Sequence, residues 1–362
     1  MTSLAAPVLD VSAASPNADA LRRQREWNVR STGLSNSTLE LILLPTEQCN
    51  FRCTYCYEDF AIGRMPQGVV DGVMALIRRR AAGLKHLHLN YFGGEPLLNM
   101  RAVRQISALG KQLHDQGVLR LTSGMTTNGF LLDDAMMEEL VGYHCTQLQV
   151  SLDGWGDAHD RSRPKRNGGP TFDRIWANIL SAAQSSRDFS MLLRVHLMPG
   201  NEEGVLRLAE RINASCSDDR FQVLLKKVGN WGGRDPNHPA VYDEASDHFS
   251  NFYDRVRNSL SRVSDVGADE SGGNAAKAAE AEGTAPFICY AARGNSLVVR
   301  ANGRLNKCTV ALSSKGNDVG EIRADGTISI DADRMAPWMR GLATMDAEQL
   351  RCPATHVLSG GR

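Results

Sequence analysis

Between about residues 39 and 262, short apolar runs alternate with amphipathic segments, and this alternation leaves the chain few folds to choose from. Apolar runs at 39–44, 86–92, 120–126, 147–152, 191–198 and 221–226 read as buried strands. Amphipathic stretches near 67–82, 99–116, 133–142, 171–186, 202–214 and 241–262 read as helices between them. Six βα repeats predict an α/β fold, a parallel sheet with helices outside it. Parallel strands joined by right-handed crossovers can curl into a barrel or lie open, and the pattern allows both. In either case the active groups collect at the C-terminal ends of the strands.

The loop after the first strand carries the most specific chemistry. Thr46-Glu47-Gln48-Cys49-Asn50-Phe51-Arg52-Cys53-Thr54-Tyr55-Cys56-Tyr57-Glu58 sets three cysteines at Cx3Cx2C spacing. So tight a loop brings three thiolates to one point. A structural zinc site usually takes four protein ligands. Three thiolates suit a cubane iron–sulfur cluster with one iron left open, able to bind a small molecule and pass it an electron. An open zinc site and three unrelated thiols are the plainer alternatives.

The later strand ends carry further candidates. Tyr91-Phe92-Gly93-Gly94-Glu95-Pro96 closes the second strand; its glycines let the backbone approach a ligand, and Glu95 can accept from an ammonium. Thr126-Thr127-Asn128-Gly129 closes the third, where Asn-Gly also makes an ordinary turn. Ser151-Leu152-Asp153-Gly154 closes the fourth, followed by His159-Asp160-Arg161-Ser162-Arg163. The Ser151 hydroxyl can bond a ribose hydroxyl, and Arg163 can grip a carboxylate through two parallel bonds. Asp153 reads as a turn or substrate-side residue and His159 as structural. Arg194-Val195-His196-Leu197 lies on the fifth strand, and Gly229-Asn230-Trp231-Gly232-Gly233-Arg234 follows the sixth, as a substrate rim or a plain surface loop.

In this order, the segments resemble the radical S-adenosylmethionine (radical SAM) superfamily over about residues 39–230, including the aromatic Tyr55 before the third cysteine. The SLDG…HDxxR combination is similar to that of peptide-modifying members, notably anaerobic sulfatase maturases. The resemblance implies a partial (β/α)6 TIM barrel. It implies that Cys49, Cys53 and Cys56 hold a [4Fe–4S] cluster, with SAM chelating the fourth iron. Tyr55, Gly93, Gly94, Glu95, Thr127, Asn128, Ser151, Arg163 and Leu197 would then surround SAM. The Gly93-Gly94-Glu95 motif would take its amino group, Ser151 and Arg163 would contact it as in the maturases, and Leu197 would pack on the adenosyl group. Reductive cleavage of SAM would give a 5′-deoxyadenosyl radical that abstracts a substrate hydrogen, with a flavodoxin or ferredoxin as reducing partner. No position names a catalytic base.

Residues 264–286 form a composition break rich in Ala, Gly and acidic side chains, which reads as a linker or mobile insertion. Beyond it lie Cys289, Cys308 and Cys352, and a short hairpin around Ala301-Asn302-Gly303. Cys289 with Gly303 and Cys308 looks like the opening of a SPASM or twitch domain. The later family pattern decays: Thr355 stands where the next cysteine would fall, and 358–362 keeps two glycines without cysteines. The resemblance implies one auxiliary [4Fe–4S] cluster on Cys289, Cys308 and Cys352, with His356 or substrate as fourth ligand. A zinc site with His356, or three structural thiols, is the alternative. The expected division is a flexible or loosely docked arm at 1–37, the radical SAM barrel at 38–262, a linker at 263–286 and a SPASM/twitch-like domain at 287–362.

Composition narrows the partners. Lys and Arg (41) balance Asp and Glu (41), so no electrostatic case exists for bulk nucleic acid or an anionic membrane. No apolar run approaches the roughly 20 residues of a membrane span, and the first 28 residues lack the order of a secretory signal. A cytoplasmic location is expected. Eight cysteines in such a chain suggest metal or redox chemistry before disulfides, with Cys145 and Cys216 as buried apolar residues. The reading that results is a maturase that crosslinks or oxidises a ribosomally made precursor peptide (a RiPP maturase). A twitch-type small-molecule dehydrogenase and a sulfatase maturase are the alternative enzymes, and a non-catalytic iron–sulfur carrier or sensor is the alternative of another class.

Overall fold

The computed structural model describes residues 16–229, 241–242, 247–264 and 287–359. The rim segment at 230–234, the linker at 265–286 and the last glycines at 360–361 lie outside the described residues.

Six parallel strands, β1 (Thr38–Thr46), β2 (His86–Gly93), β3 (Arg120–Thr127), β4 (Cys145–Leu152), β5 (Ser190–Leu197) and β6 (Phe221–Lys227), lie side by side in sequence order. All six match the expected apolar runs. The crossovers carry helices, chiefly α2 (Gln67–Ala81), α3 (Met100–Asp115), α4 (Asp134–Gly142), α6 (Phe172–Gln184) and α7 (Glu202–Ser215); a short α5 (Asp157–Ser162) precedes α6, and α8 (Asp247–Ser259) follows β6. This is the α/β arrangement of a partial barrel. On β5, Met191, Leu193, Val195 and Leu197 are all buried, while Leu192 and Arg194 are only half-buried. Alternate side chains therefore fill the helix-side core and the remainder faces the lumen.

The C-terminal segment adds to this sheet. β7 (Ser296–Val299) pairs in parallel with β1, and β8 (Arg304–Asn306), β9 (Asp318–Ile322) and β10 (Ile328–Ile330) continue antiparallel. The result is one ten-stranded sheet, so β1, which would be an edge in six strands, is paired on both sides. Its run Leu41–Leu44 is correspondingly buried throughout. Three helices follow: α9 (Ala332–Thr344), α10 (Ala347–Arg351) and α11 (Ala354–Ser359). Asp331 and Asp346 cap the first two, accepting from the Arg334 amide and from those of Glu348 and Gln349.

Within the segment expected as a flexible or loosely docked arm, Pro16–Leu34 forms a helix, α1. Its Val29 is buried against Leu342 and Leu350. The polar, arginine-bearing sequence hid it, because only a thin apolar seam needs burial.

Candidate functional site

The cysteine loop leaves β1 at the mouth of the barrel and is fastened on three sides. Residues 50–54 ladder with the segment after α5: Arg52 N–H donates to the Pro164 carbonyl (2.9 Å), Thr54 N–H to Ser162 (2.9 Å), and Arg166 N–H to Asn50 (2.7 Å). The end of β2 meets the loop's start. A Cβ on Gly94 would lie 2.3 Å from the Gln48 carbonyl oxygen and one on Gly93 2.4 Å from that of Thr46, so only glycine fits either position. From the C-terminal side, Arg300 clamps the fully buried Glu47 through Nη2 (2.5 Å) and Nε (3.2 Å).

Glu95 is fully buried and acts as a clasp. Its carboxylate accepts from Leu97 N–H (3.1 Å), the Thr127 hydroxyl (2.8 Å) and Asn128 N–H (2.7 Å), joining the ends of β2 and β3. The amide of Asn128 reaches the cysteine loop, donating to Asn50 Oδ1 (2.8 Å) and lying 3.8 Å from Cys49 Sγ. Phe51 N–H also points at that sulfur, at 3.4 Å. Burial pushes the thiols of Cys49 and Cys56 up to about 12 and raises that of Cys53. A cationic centre would reverse this and favour thiolates. Four zinc–thiolate bonds of about 2.3 Å would bring the sulfurs within roughly 4 Å of one another. Among the described residues, the one set of three ligand atoms that close, all within 4.8 Å, is His114, Asp115 and His144, at the other end of the strands. Three thiols in one loop, with N–H groups aimed at one of the sulfurs, fit a cluster held by three cysteines.

Opposite the loop lies a buried polar network. Tyr55 hydroxyl donates to Asp153 Oδ1 (2.9 Å) and accepts from Arg163 Nη1 (2.7 Å); His196 Nδ1 meets the same Asp153 oxygen at 2.9 Å, and Ser162 donates to Oδ2 at 2.6 Å. Burial works against the Asp153 carboxylate, but Arg163 and His196 overcome it and hold the group well below the usual carboxylate range. Burial pushes His196 down to about 4, so the ring is neutral. Asp153 is thus the centre of the network, with no exposed surface, and not a turn or substrate-side residue. His159 is structural as expected: fully buried, its Nδ1 accepts the Asp153 amide at 3.2 Å. Arg163 keeps a buried Nε with no partner.

Ser151 lies at the lumen end of β4. Leu197, expected against an adenosyl group, is in phase with Leu193 and Val195 in the helix-side core. Met198 and Val228 are the apolar residues packed with Tyr55. Cys49, Cys53, Cys56, Tyr55, Gly93, Gly94, Glu95, Thr127, Asn128, Ser151 and Arg163 all gather at one mouth.

The second cysteine group gathers below β7 and β8. Cys289 N–H donates to the Leu350 carbonyl (2.9 Å), Asn317 brackets Cys308 through its amide and carbonyl (2.9 and 2.7 Å), and Cys352 ends α10. Burial pushes the Cys308 thiol up to about 11, with Cys352 close enough to add to the shift. Tyr290 feels both Cys308 and Cys289. His356 is exposed on α11.

Sequence reasoning missed Glu47–Arg300 and the partners of Asp153. Those contacts span 253 and up to 98 residues, and no local pattern announces them. Among the described residues no helix is long and apolar enough to cross a membrane.

Residues 43–212 match the radical SAM superfamily model. A GTP 3′,8-cyclase of Nostoc punctiforme is 27% identical over 295 residues, 76% of this chain and 81% of that protein. The serine-type anaerobic sulfatase-maturating enzyme of Klebsiella aerogenes is 28% identical over 183 residues, 49% of this chain but only 45% of its own length. Among solved structures, Streptococcus suis SuiB bound to its precursor peptide SuiA superposes with a TM-score of 0.57 at 13% identity, covering 97% of this chain and 79% of SuiB; SuiB bound to S-adenosylmethionine gives 0.59. With its cysteine loop and strand ends arranged at one mouth, the chain carries a radical SAM superfamily domain, matched at residues 43–212.

Proposed function

We propose that this enzyme modifies a ribosomally made precursor peptide by crosslinking or oxidation. Cys49, Cys53 and Cys56 would hold a [4Fe–4S] cluster and the adjoining pocket SAM. The observation that carries the cofactor assignment is the mouth itself: three thiols on one fastened loop, donors aimed at one sulfur, and beside them the buried Arg163 with an unpartnered Nε. When bound and reduced, the cluster and SAM supply a 5′-deoxyadenosyl radical.

The chain's own residues orient and seal. The Gly93-Gly94 backbone presents carbonyls to an amino group, since the Glu95 carboxylate is engaged by three donors of the chain. Arg163, anchored by Tyr55 and Asp153, presents Nε to a carboxylate, and Ser151 offers a hydroxyl to a ribose. Tyr55, Met198 and Val228, with Leu197 beside them on β5, would give the nucleoside an apolar wall. Phe51 against Phe130, ring centroids 5.8 Å apart, keeps water from the sulfurs. Cys289, Cys308 and Cys352 would hold one auxiliary [4Fe–4S] cluster, and a flavodoxin or ferredoxin would supply electrons.

The peptide substrate is supported by SuiB, solved with a precursor peptide, and by the likeness to a sulfatase-maturating enzyme. A small-molecule substrate is the second reading, favoured by the GTP 3′,8-cyclase match over most of the chain. Anaerobically reconstituted protein should release 5′-deoxyadenosine from SAM with dithionite and bind about eight irons per chain. Cys49→Ala should abolish release, and Cys308→Ala should remove about half the iron. About four irons, unchanged in Cys308→Ala, would reject the auxiliary cluster. Consumption of GTP with no peptide modified would reject the maturase reading.

A further inference from the structure

Arg194 stands on β5 in register with Ser151 of β4 and Leu224 of β6. Strand alternation puts it on the lumen face, two residues before His196. Its Nε is buried without a hydrogen-bond partner, and Arg194 enters no ion pair among the described residues. Arg163 and Arg300 differ. Arg163 faces Asp153 at 3.9 Å, and Arg300 grips Glu47. Asp153 is already engaged by Tyr55, His196 and Ser162, and the nearby His196 is neutral. Half-buried and without an anion, the Arg194 guanidinium is open to one, and its planar fork matches a carboxylate.

We propose that Arg194 is a specificity residue that binds a carboxylate of the substrate, so the peptide presents an Asp or Glu side chain at the barrel mouth. This rests on the peptide reading above. SAM also carries a carboxylate, but Arg163 already offers it a guanidinium, which leaves Arg194 for a second anion.

The test uses two synthetic hexapeptide libraries, alike except for one fixed position: Asp or Glu in one, Asn or Gln in the other. Each is equilibrated anaerobically with reconstituted holoenzyme and SAM, and retention is read by mass spectrometry. Binding of glutarate, GTP and SAM is measured in parallel. The acid library should be retained about tenfold over the amide library. That ratio should fall to near one in Arg194→Gln and survive in part in Arg194→Lys, with iron content and SAM affinity unchanged. Equal retention by the unmodified enzyme overturns the proposal, as does an undiminished ratio in Arg194→Gln. Loss of SAM affinity in Arg194→Gln with the acid preference intact also overturns it, since Arg194 would then serve the SAM carboxylate. If neither library is retained but glutarate binds through Arg194, the carboxylate site stands and the peptide reading falls. If GTP alone binds through Arg194, both fall.

Discussion

His159 shows how a single side chain can set pH dependence from inside the core. Burial pushes it down to about 4, and its Nε2 has no partner. In the unfolded chain an imidazole titrates near 6.5. Between those values the unfolded state takes up a proton that the folded state refuses. Stability is therefore fully present above about pH 6.5 and is lost as pH falls toward 4, by about 2 kcal/mol at pH 5 from this one residue. In His159→Asn an oxygen takes over the acceptor role toward the Asp153 amide. Urea unfolding of this variant should show a smaller loss between pH 7 and pH 5 than the unmodified protein. An equal loss would move the effect to His196, which burial also holds at about 4. At this scale the sequence named the three loop cysteines readily, because Cx3Cx2C is a local spacing. It misread Asp153, whose partners Tyr55 and His196 come from other strand ends.

Among the elements, the β7–β8 hairpin has the widest reach. It pairs with β1 and delivers Arg300 to Glu47, three residues after the buried run of that strand. Removing one partner of a buried ion pair leaves an uncompensated charge, at a cost of about 3–5 kcal/mol. Arg300→Met should lower the denaturation midpoint accordingly and reduce iron bound in the Cys49 loop. Adding Glu47→Gln should restore much of both. A single variant with unchanged midpoint and iron content would show that the clamp is dispensable. The six parallel strands were legible because each carries its own apolar run between turn residues. β9 and β10 were not, since strands of five and three residues take their partners from the sheet and not from their own pattern.

For the whole molecule, the sheet settles how the parts depend on one another. The composition break after residue 264 suggested a barrel with a separate appendage, yet both lie in one ten-stranded sheet. A chain ending at residue 264 would expose the unpaired edge of a long apolar strand, β1, and strip Glu47 of its cation. Such a truncation should aggregate on expression. A soluble monomer that retained a reconstitutable cluster, judged by size-exclusion and iron analysis, would contradict this.

The rungs from Arg52, Thr54 and Arg166 carry one more implication. They are main-chain amides, so the curve of the cysteine turn is written in polypeptide alone. The same rungs seat Arg163, which stands between Ser162 and Pro164. The three thiols and the Arg163 guanidinium are thus two sides of one ribbon, and a jolt that loosens one side would loosen its companion.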